Sequence, residues 1–407
     1  METLQSDVQA LAAPAPRRTP GVLQLWSPAG PCCVPTSIAG AVVVGRETAD
    51  LALDDARVSR AHCRVGFDGA LWTVEDLGSR NGTFIDGLRV HEPALLGLDQ
   101  VLRVGHCLFV PCEDVRLFAG HVVDAGDVIA GPRLRVALDE VERRARQREH
   151  LVLVGASGSG KRFAATQCFR VPGEGPTVTV TAADLAGPRP DLQLLAAAEQ
   201  AGGGALVLDA LDVLDLAGQR ALLTLCERDD PRLCVLVRHN LREAVRDGRL
   251  REDLYFRLSA AQLELPALVE RREEIGFHVA RVLSRTPPRR PAQVNVVERC
   301  LRLRWPGNVR ELLAAVRAAA LAAQQDGADM VELRHLDTHV GEQVSRPAAA
   351  ASTPIVSADR LADTAAVEAA LAAEGGNVRA AARALGVHRN QLRRWLTRHH
   401  PRADEPI

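Results

Sequence analysis

The sequence predicts a multidomain chain: an all-β sandwich, then a parallel α/β domain with a helical lid, then a small all-α helix-turn-helix. Three observations carry this. Over 22–118 the apolar runs are short and divided by turn clusters such as Phe67-Asp68-Gly69 and Ser79-Arg80-Asn81-Gly82, as in a sandwich. Over 151–265, strand-like runs alternate with helical stretches, the pattern of a parallel sheet. Over 365–398, three helical stretches follow one another with Gly386-Val387 at the second turn. A chain of 407 residues is also too long for one ordinary core.

Taken in order, residues 1–20 read as a flexible Ala/Pro tail and 21–118 as the sandwich, with strands at 41–44, 71–74, 101–104 and 108–110. Residues 119–149 form a connector whose 133–147 stretch, rich in arginine and glutamate with leucine and valine interleaved, predicts a helix. The α/β domain spans 150–269, with strands at 151–154, 177–181, 205–208, 233–237 and 262–265. A helical lid follows over 270–341, a second linker over 342–358, and the helix-turn-helix over 359–401.

The run Leu151-Val152-Leu153-Val154 leads into Gly155-Ala156-Ser157-Gly158-Ser159-Gly160-Lys161. A buried-type strand entering a glycine-rich turn before a helix is the arrangement that cradles phosphates. Backbone N–H groups converge on oxygens, the helix N-terminus adds partial positive charge, and the lysine reaches the terminal phosphates. Lysine and arginine total 50, yet Lys161 is the sole lysine. A compact ammonium is kept where it suits phosphates better than a planar fork. Gly155, Ser157, Gly158, Ser159, Gly160, Lys161 and Arg162 are the candidate nucleotide contacts. Gly204-Ala205-Leu206-Val207-Leu208-Asp209 supplies a second signature, an apolar strand delivering the Asp209 carboxylate toward Mg²⁺. ATP or ADP with Mg²⁺ is the expected cofactor.

The totals exclude several classes. Net charge is −1, so attraction to nucleic acid must be local. No apolar stretch approaches membrane-spanning length and the first thirty residues lack a signal-peptide pattern, so a cytoplasmic protein is expected. The 9 cysteines are scattered without a paired Cys-x-x-Cys, which fits reduced thiols.

Within the sandwich, Gly45-Arg46, Val58-Ser59-Arg60-Ala61-His62 and the stretch from Asp76 through Ser79-Arg80-Asn81-Gly82-Thr83 to Gly87 resemble the forkhead-associated (FHA) domain, a phosphothreonine-binding β-sandwich. The resemblance implies that Arg46, Ser59 and Arg60 hold the phosphate. Ser79 and Asn81 complete the peptide site, Asn81 bonding the ligand backbone, while His62, Gly82 and Thr83 brace the loops. Two guanidinium forks and a hydroxyl on adjacent loops suit a dianion.

Arg251-Glu252-Asp253-Leu254-Tyr255-Phe256-Arg257-Leu258, Leu265-Pro266-Ala267-Leu268-Val269-Glu270-Arg271-Arg272-Glu273-Glu274-Ile275 and Trp305-Pro306-Gly307-Asn308-Val309-Arg310-Glu311-Leu312, with the phosphate loop, resemble the AAA+ module of bacterial enhancer-binding proteins, the sigma-54 activators. The resemblance implies that Asn240 is a sensor facing the γ-phosphate, that Arg251 and Arg257 are arginine fingers toward a neighbouring subunit in a homo-oligomer, and that Arg310 is a second sensor.

Two departures bear on mechanism. The glutamate that polarises water in the family is Ala210 here, and the asparagine that restrains it corresponds to Thr181; loss of a positioned base costs ~10²–10⁴ in rate. The Gly-Ala-Phe-Thr-Gly-Ala loop that touches sigma-54 is absent, and the 162–205 segment is too short to hold it. Nucleotide binding without brisk turnover, and no direct remodelling of polymerase, are expected; an active ATPase using Asp212 or a water relay is the alternative.

Gly376-Asn377, Ala380-Ala381, Leu385-Gly386-Val387 and Leu392 resemble the Fis-type domain that ends many enhancer-binding proteins. Residues 375–402 hold seven arginines and no acidic residue, a local basic surface suited to DNA phosphates. Arg389, Asn390, Gln391, Arg393 and Arg394 are the expected groove contacts. A DNA-binding transcription regulator follows, with a phosphothreonine protein, DNA and further copies of itself as partners and no membrane contact; a phospho-dependent scaffold that binds no DNA is the third reading.

Overall fold

Strand β1 (Gly21–Ser27) shows how the first domain is assembled. Val22 enters the core between two sheets, while Leu23 and Leu25 reach the opposite face, as a two-residue period requires. One sheet runs β2 (Gly30–Ser37), β1, β11 (Cys107–Cys112), β10 (Leu102–Val104), β7 (Thr83–Ile85), β8 (Leu88–Arg89). The other runs β4 (Leu51–Ala52), β3 (Gly40–Gly45), β5 (Cys63–Phe67), β6 (Trp72–Asp76), β9 (Ala94–Leu96). Val44, Val65, Trp72, Val74, Leu102, Val104 and Phe109 fill the space between them.

The computed structural model describes residues 18–341, apart from 48, 127, 170–174, 186, 210, 212–213 and 239–240. The helix-turn-helix expected at 359–401, with Arg389, Asn390, Gln391, Arg393 and Arg394, therefore lies outside the described residues, as do Ala210, Asp212 and Asn240.

The connector holds more than the expected helix. A hairpin, β12 (Val123–Ala125) with β13 (Val128–Ala130), precedes α1 (Pro132–Arg146). Pro132 stands at the first helical position, where its missing N–H costs nothing, and Leu134, Ala137, Val141 and Ala145 form the buried stripe.

The second sheet system comprises β15 (Thr177–Thr181), β16 (Ala205–Asp209), β17 (Arg232–Val237), β14 (Leu151–Val154) and β18 (Gln262–Glu264), in that spatial order and all parallel. Both faces are covered. Leu151, Leu153, Val207 and Leu236 pack toward α1 and α2 (Lys161–Cys168). Val152, Leu206, Leu208 and Val235 pack toward α3 (Pro190–Gln200), α4 (Leu216–Leu225), α5 (Leu241–Arg246) and α6 (Glu252–Ser259). Strands buried on both faces read as continuous apolar runs, which is why these were legible.

The lid is α7 (Ile275–Arg285), α8 (Val294–Arg302) and α9 (Asn308–Gln325). Its core is continuous with the outer face of the sandwich: Leu23, Leu25, Leu108, Val110 and Cys112 pack with Ile275, Val279, Val297, Leu301 and Trp305. Gly276 permits the approach, because a Cβ there would lie 3.2 Å from both Leu25 O and Trp26 Cε3. At the edge, Arg103 Nε donates to Glu298 Oε2 at 2.8 Å, Arg302 Nε stands 3.3 Å from Asp86 Oδ1, and Arg272 Nη1 donates to Leu98 O at 3.3 Å. No described helix is long and apolar enough to cross a membrane.

Candidate functional site: the phosphate loop beneath the lid

Strand β14 delivers the loop at the edge of a cavity of about 630 Å³. Gly158 (φ +75°) and Gly160 (φ +105°) take left-handed backbone that other residues resist. Gly158 has a second constraint, since a Cβ there would lie 2.0 Å from Gly307 O. Lys161 is buried, its Nζ donating to Gly155 O at 2.7 Å and Ala156 O at 3.0 Å. Ser159 Oγ is buried on the cavity wall without a hydrogen-bond partner, so an oxygen ligand there would relieve an unmet polar group.

The walls divide by chemistry. Val128, Ile129, Leu134, Leu138, Val282, Val309 and Leu313 form an apolar side. Lys161 contributes positive charge with Arg162, Arg238, Arg271, Arg281, Arg285, Arg310 and Arg317, against Asp209 as the sole acidic lining residue among those described. An apolar slot beside a dense cationic wall suits a ligand with a flat ring at one end and phosphates at the other.

Asp209 meets an arrangement the sequence did not predict. Arg162 donates to its Oδ2 from Nη2 at 2.6 Å and from Nε at 3.1 Å. The position after Lys161 carries no hydroxyl, and the described residues contain no cluster of three or more His, Cys, Asp or Glu able to hold a metal. At nucleotide sites Mg²⁺ is held by one or two carboxylates together with phosphates and waters. The sequence expects Asp209 to face Mg²⁺; here its Oδ2 faces the Arg162 guanidinium. Thr181, beside Asp209 in the sheet register, donates its hydroxyl to Asp184 Oδ2 at 2.7 Å instead.

The lid is clamped onto the loop by two side chains. Asn308 accepts from Leu268 N at 2.7 Å and donates to Ser157 O at 2.9 Å. Its turn is closed by Asn308 N donating to Trp305 O at 2.7 Å, with φ of +51° at Trp305 and +52° at Asn308. Non-glycine residues rarely adopt such backbone, which persists where surroundings impose it. Arg271 donates to Ser159 O at 2.6 Å and pairs with Glu274 at 2.7 Å; Glu274 in turn accepts from Gly131 N at 2.7 Å. Both ionic groups are almost wholly buried. One network thus joins the phosphate loop, the lid and the start of α1.

Arg310 lines the cavity from α9, one turn beyond Gly307. Arg251 and Arg257 do not line it. Arg251 pairs with Asp253, its main-chain N donating to Gln219 Oε1 at 2.9 Å, and Arg257 donates to Cys226 O at 3.2 Å. Arg271, Asn308, Arg238 and Arg317 were not singled out as ligand contacts. The first two stood inside the quoted motif strings, which was their only signal.

On the sandwich, the loops carrying Arg46, Ser59, Arg60, Ser79 and Asn81 are drawn together by His62. Ser59 N donates to His62 Nδ1 at 3.1 Å, and Nε2 stands 3.1 Å from Gly82 O, so the ring is neutral with its proton on Nε2. Arg60 and Asn81 are exposed; Asn81 Nδ2 is anchored on Arg57 O at 2.6 Å. Ser59 Oγ accepts from Arg80 N at 3.2 Å. Ser79 differs from its expected role, being buried with its hydroxyl donating to Asp76 Oδ2 at 2.6 Å and accepting from Gly82 N at 2.9 Å. It braces the loop alongside Thr83, which donates to the same Asp76 oxygen.

Burial holds His62 below the ordinary value of 6.5, although the Gly82 carbonyl and the Asp76 and Asp55 carboxylates pull the other way. A depressed folded value means the unfolded chain takes the proton first. The contribution is complete above about pH 6.5 and is lost as pH falls toward the lower folded value. Denaturation followed from about pH 7.5 to about pH 5.5 should show the sandwich weakening on acidification, with a smaller slope in His62→Gln.

Family models match as an FHA domain at 42–105, a sigma-54 interaction domain at 133–268, an AAA+ ATPase lid domain at 270–353, and a bacterial regulatory protein of the Fis family at 360–399. Among curated proteins, the nitric oxide reductase transcription regulator NorR2 of Cupriavidus necator is 33% identical over 242 residues, covering 49% of this chain and 45% of that protein. The transcriptional regulatory protein ZraR of Escherichia coli O157:H7 is 29% identical over 333 residues, covering 68% and 72%. The chain thus spans less than half the length of the first relative and nearly three quarters of the second. A crystal structure of NtrX from Brucella abortus superposes with a TM-score of 0.49 at 25% identity, covering 67% of this chain and 68% of that one. The four domain matches cover most of the chain in one order, and the chain belongs to the sigma-54-dependent regulators, with an FHA domain ahead of the sigma-54 interaction domain and a Fis-family domain after the AAA+ lid.

Proposed function

We propose that this chain is a cytoplasmic DNA-binding transcription regulator whose nucleotide works as a structural ligand, not as a fuel. The observation that carries the reading is the cavity under the lid. A glycine loop, a buried lysine and a partnerless Ser159 hydroxyl meet an apolar slot, and the lid is already bonded to that loop through Asn308 and Arg271. ATP or ADP filling this cavity would fasten lid to core and set the surfaces by which copies associate, with Arg251 and Arg257 directed at a neighbour. Arg46, Ser59, Arg60 and Asn81 would capture a phosphothreonine segment of a partner protein. Because the sandwich shares a core with the lid, capture and nucleotide occupancy would bias one assembly state, and with it the avidity of paired Fis-type domains for DNA through Arg389, Asn390, Gln391, Arg393 and Arg394.

Slow turnover is supported by Ala210 in the place of the water-polarising glutamate and by Thr181, whose hydroxyl is committed to Asp184. The missing sigma-54 contact loop supports regulation that does not remodel polymerase directly.

The test measures nucleotide binding and phosphate release on the same preparation. Wild-type chain should bind ADP and ATP with little hydrolysis, and Lys161→Ala should lose at least about tenfold in affinity, or 1.4 kcal/mol. Ala210→Glu should raise turnover substantially, within the ~10²–10⁴ that a positioned base contributes. Brisk hydrolysis by the wild type, abolished by Lys161→Ala, would reject the structural-ligand reading.

A further inference from the structure

The Arg162–Asp209 pair bears on which form of the nucleotide this site accepts. Asp209 closes β16 at the cavity floor, with only 15% of its side chain exposed, and Arg162 reaches it from the first turn of α2, directly after Lys161. Both guanidinium contacts fall on one oxygen, Oδ2. On the neighbouring strand, Thr181, paired with Asp209 in register, donates its backbone N and its hydroxyl to Asp184 Oδ2, each at 2.7 Å. One oxygen of each carboxylate is thus engaged by donors of the chain itself.

We propose that Arg162 takes the place of the divalent cation, so that this site binds nucleoside di- or triphosphates without Mg²⁺. The inference rests on the nucleotide reading above and specifies the species bound. The pair's own strength does not decide it, since an ion pair this exposed on the arginine side is weak. Charge and tether decide it. A guanidinium is a permanent cation, and the Arg162 backbone is fixed beside Lys161 in the first turn of α2. A divalent ion entering between Asp209 and the phosphates would have to displace the guanidinium from its carboxylate and then lie beside it, cation against cation. The guanidinium, by contrast, balances the Asp209 charge and stands on the cavity wall, where a phosphate can accept from the N–H groups it does not spend on Asp209.

The experiment is equilibrium binding of ADP to the full chain with Mg²⁺ and with excess EDTA, together with Mn²⁺ electron paramagnetic resonance with and without ADP. Affinities in the two buffers should agree within about threefold, and protein should add no bound Mn²⁺ beyond that held by ADP alone. Arg162→Thr, which supplies the hydroxyl and frees Asp209, should bind ADP about tenfold or more tightly with Mg²⁺ than with EDTA, and should show a protein-bound Mn²⁺ signal. Wild-type binding that Mg²⁺ strengthens tenfold or more overturns the proposal and leaves the nucleotide reading standing. No ADP binding in either buffer overturns the nucleotide reading, and this inference with it. The wild-type comparison decides even if Arg162→Thr does not fold.

Discussion

Arg271→Ala is expected to destabilise the nucleotide domain and lid by about 3–5 kcal/mol, because it strands a fully buried carboxylate. Arg271 holds Glu274 and Ser159 O at once, and Glu274 holds Gly131 N. Removing the guanidinium therefore leaves the Glu274 charge in the interior with only His278 Nε2, 3.8 Å away, as a possible counter-charge, and one phosphate-loop carbonyl without its donor. ADP affinity should fall with stability, since Ser159 is both an anchor point and a wall of the cavity. Lysine should not rescue: a point ammonium cannot span the carboxylate, the loop carbonyl and Pro266 O as the fork does. Arg271→Met with Glu274→Leu separates the effects. If the stranded charge dominates, the double variant should recover most of the lost stability while ADP affinity stays reduced. Urea unfolding of the single and double variants is the measurement, and equal loss in both would refute the stranded-charge account.

The parts of this fold that could be read from the sequence are those where local chemistry has one outlet. Glycines at 158 and 160 before a lone lysine have few structural uses, and Leu151-Val152-Leu153-Val154 can only be a strand covered on both sides. Arg162 and Asp209 were each legible as cavity residues, but their pairing was not, because 47 positions separate them and nothing local signals the contact. The β12–β13 hairpin is built from two three-residue strands, too short to show alternation, and its Gly126-Asp127 turn signal is the one local cue to it. Ser79 enters the expected peptide site only through the FHA resemblance; the Asp76 carboxylate, three residues earlier, turns its hydroxyl inward. The junction of sandwich and lid had one signal that went unread. Cys107-Leu108-Phe109-Val110-Pro111-Cys112 is buried at every position. An antiparallel strand with one wet face should alternate, so an unbroken run means a second layer lies on the outside. That layer is α7 and α8.

The same junction supplies the second large effect. Arg103→Ala should cost about 3–5 kcal/mol, expressed as release of the sandwich from the lid, not as unfolding of either. Glu298 is 2% exposed and Arg103 is its one charged partner among the described residues, with the guanidinium also lying 3.9 Å from the centre of the Phe84 ring. Truncation would leave a buried carboxylate with no counter-charge, and the least costly response is to open the interface and let water in. Protease sensitivity should then rise between residues 112 and 132, while the two sheet systems remain resistant. Replacing both partners, Arg103→Met with Glu298→Leu, should restore docking, since a buried pair exchanged for apolar side chains of similar volume is often neutral or better. If phosphopeptide capture by Arg46, Ser59 and Arg60 acts on the nucleotide core through this junction, Arg103→Ala should leave peptide affinity unchanged and remove its effect on ADP binding. The double variant should bring that coupling back. Coupling that survives Arg103→Ala while the junction is open would show that the signal travels by another route.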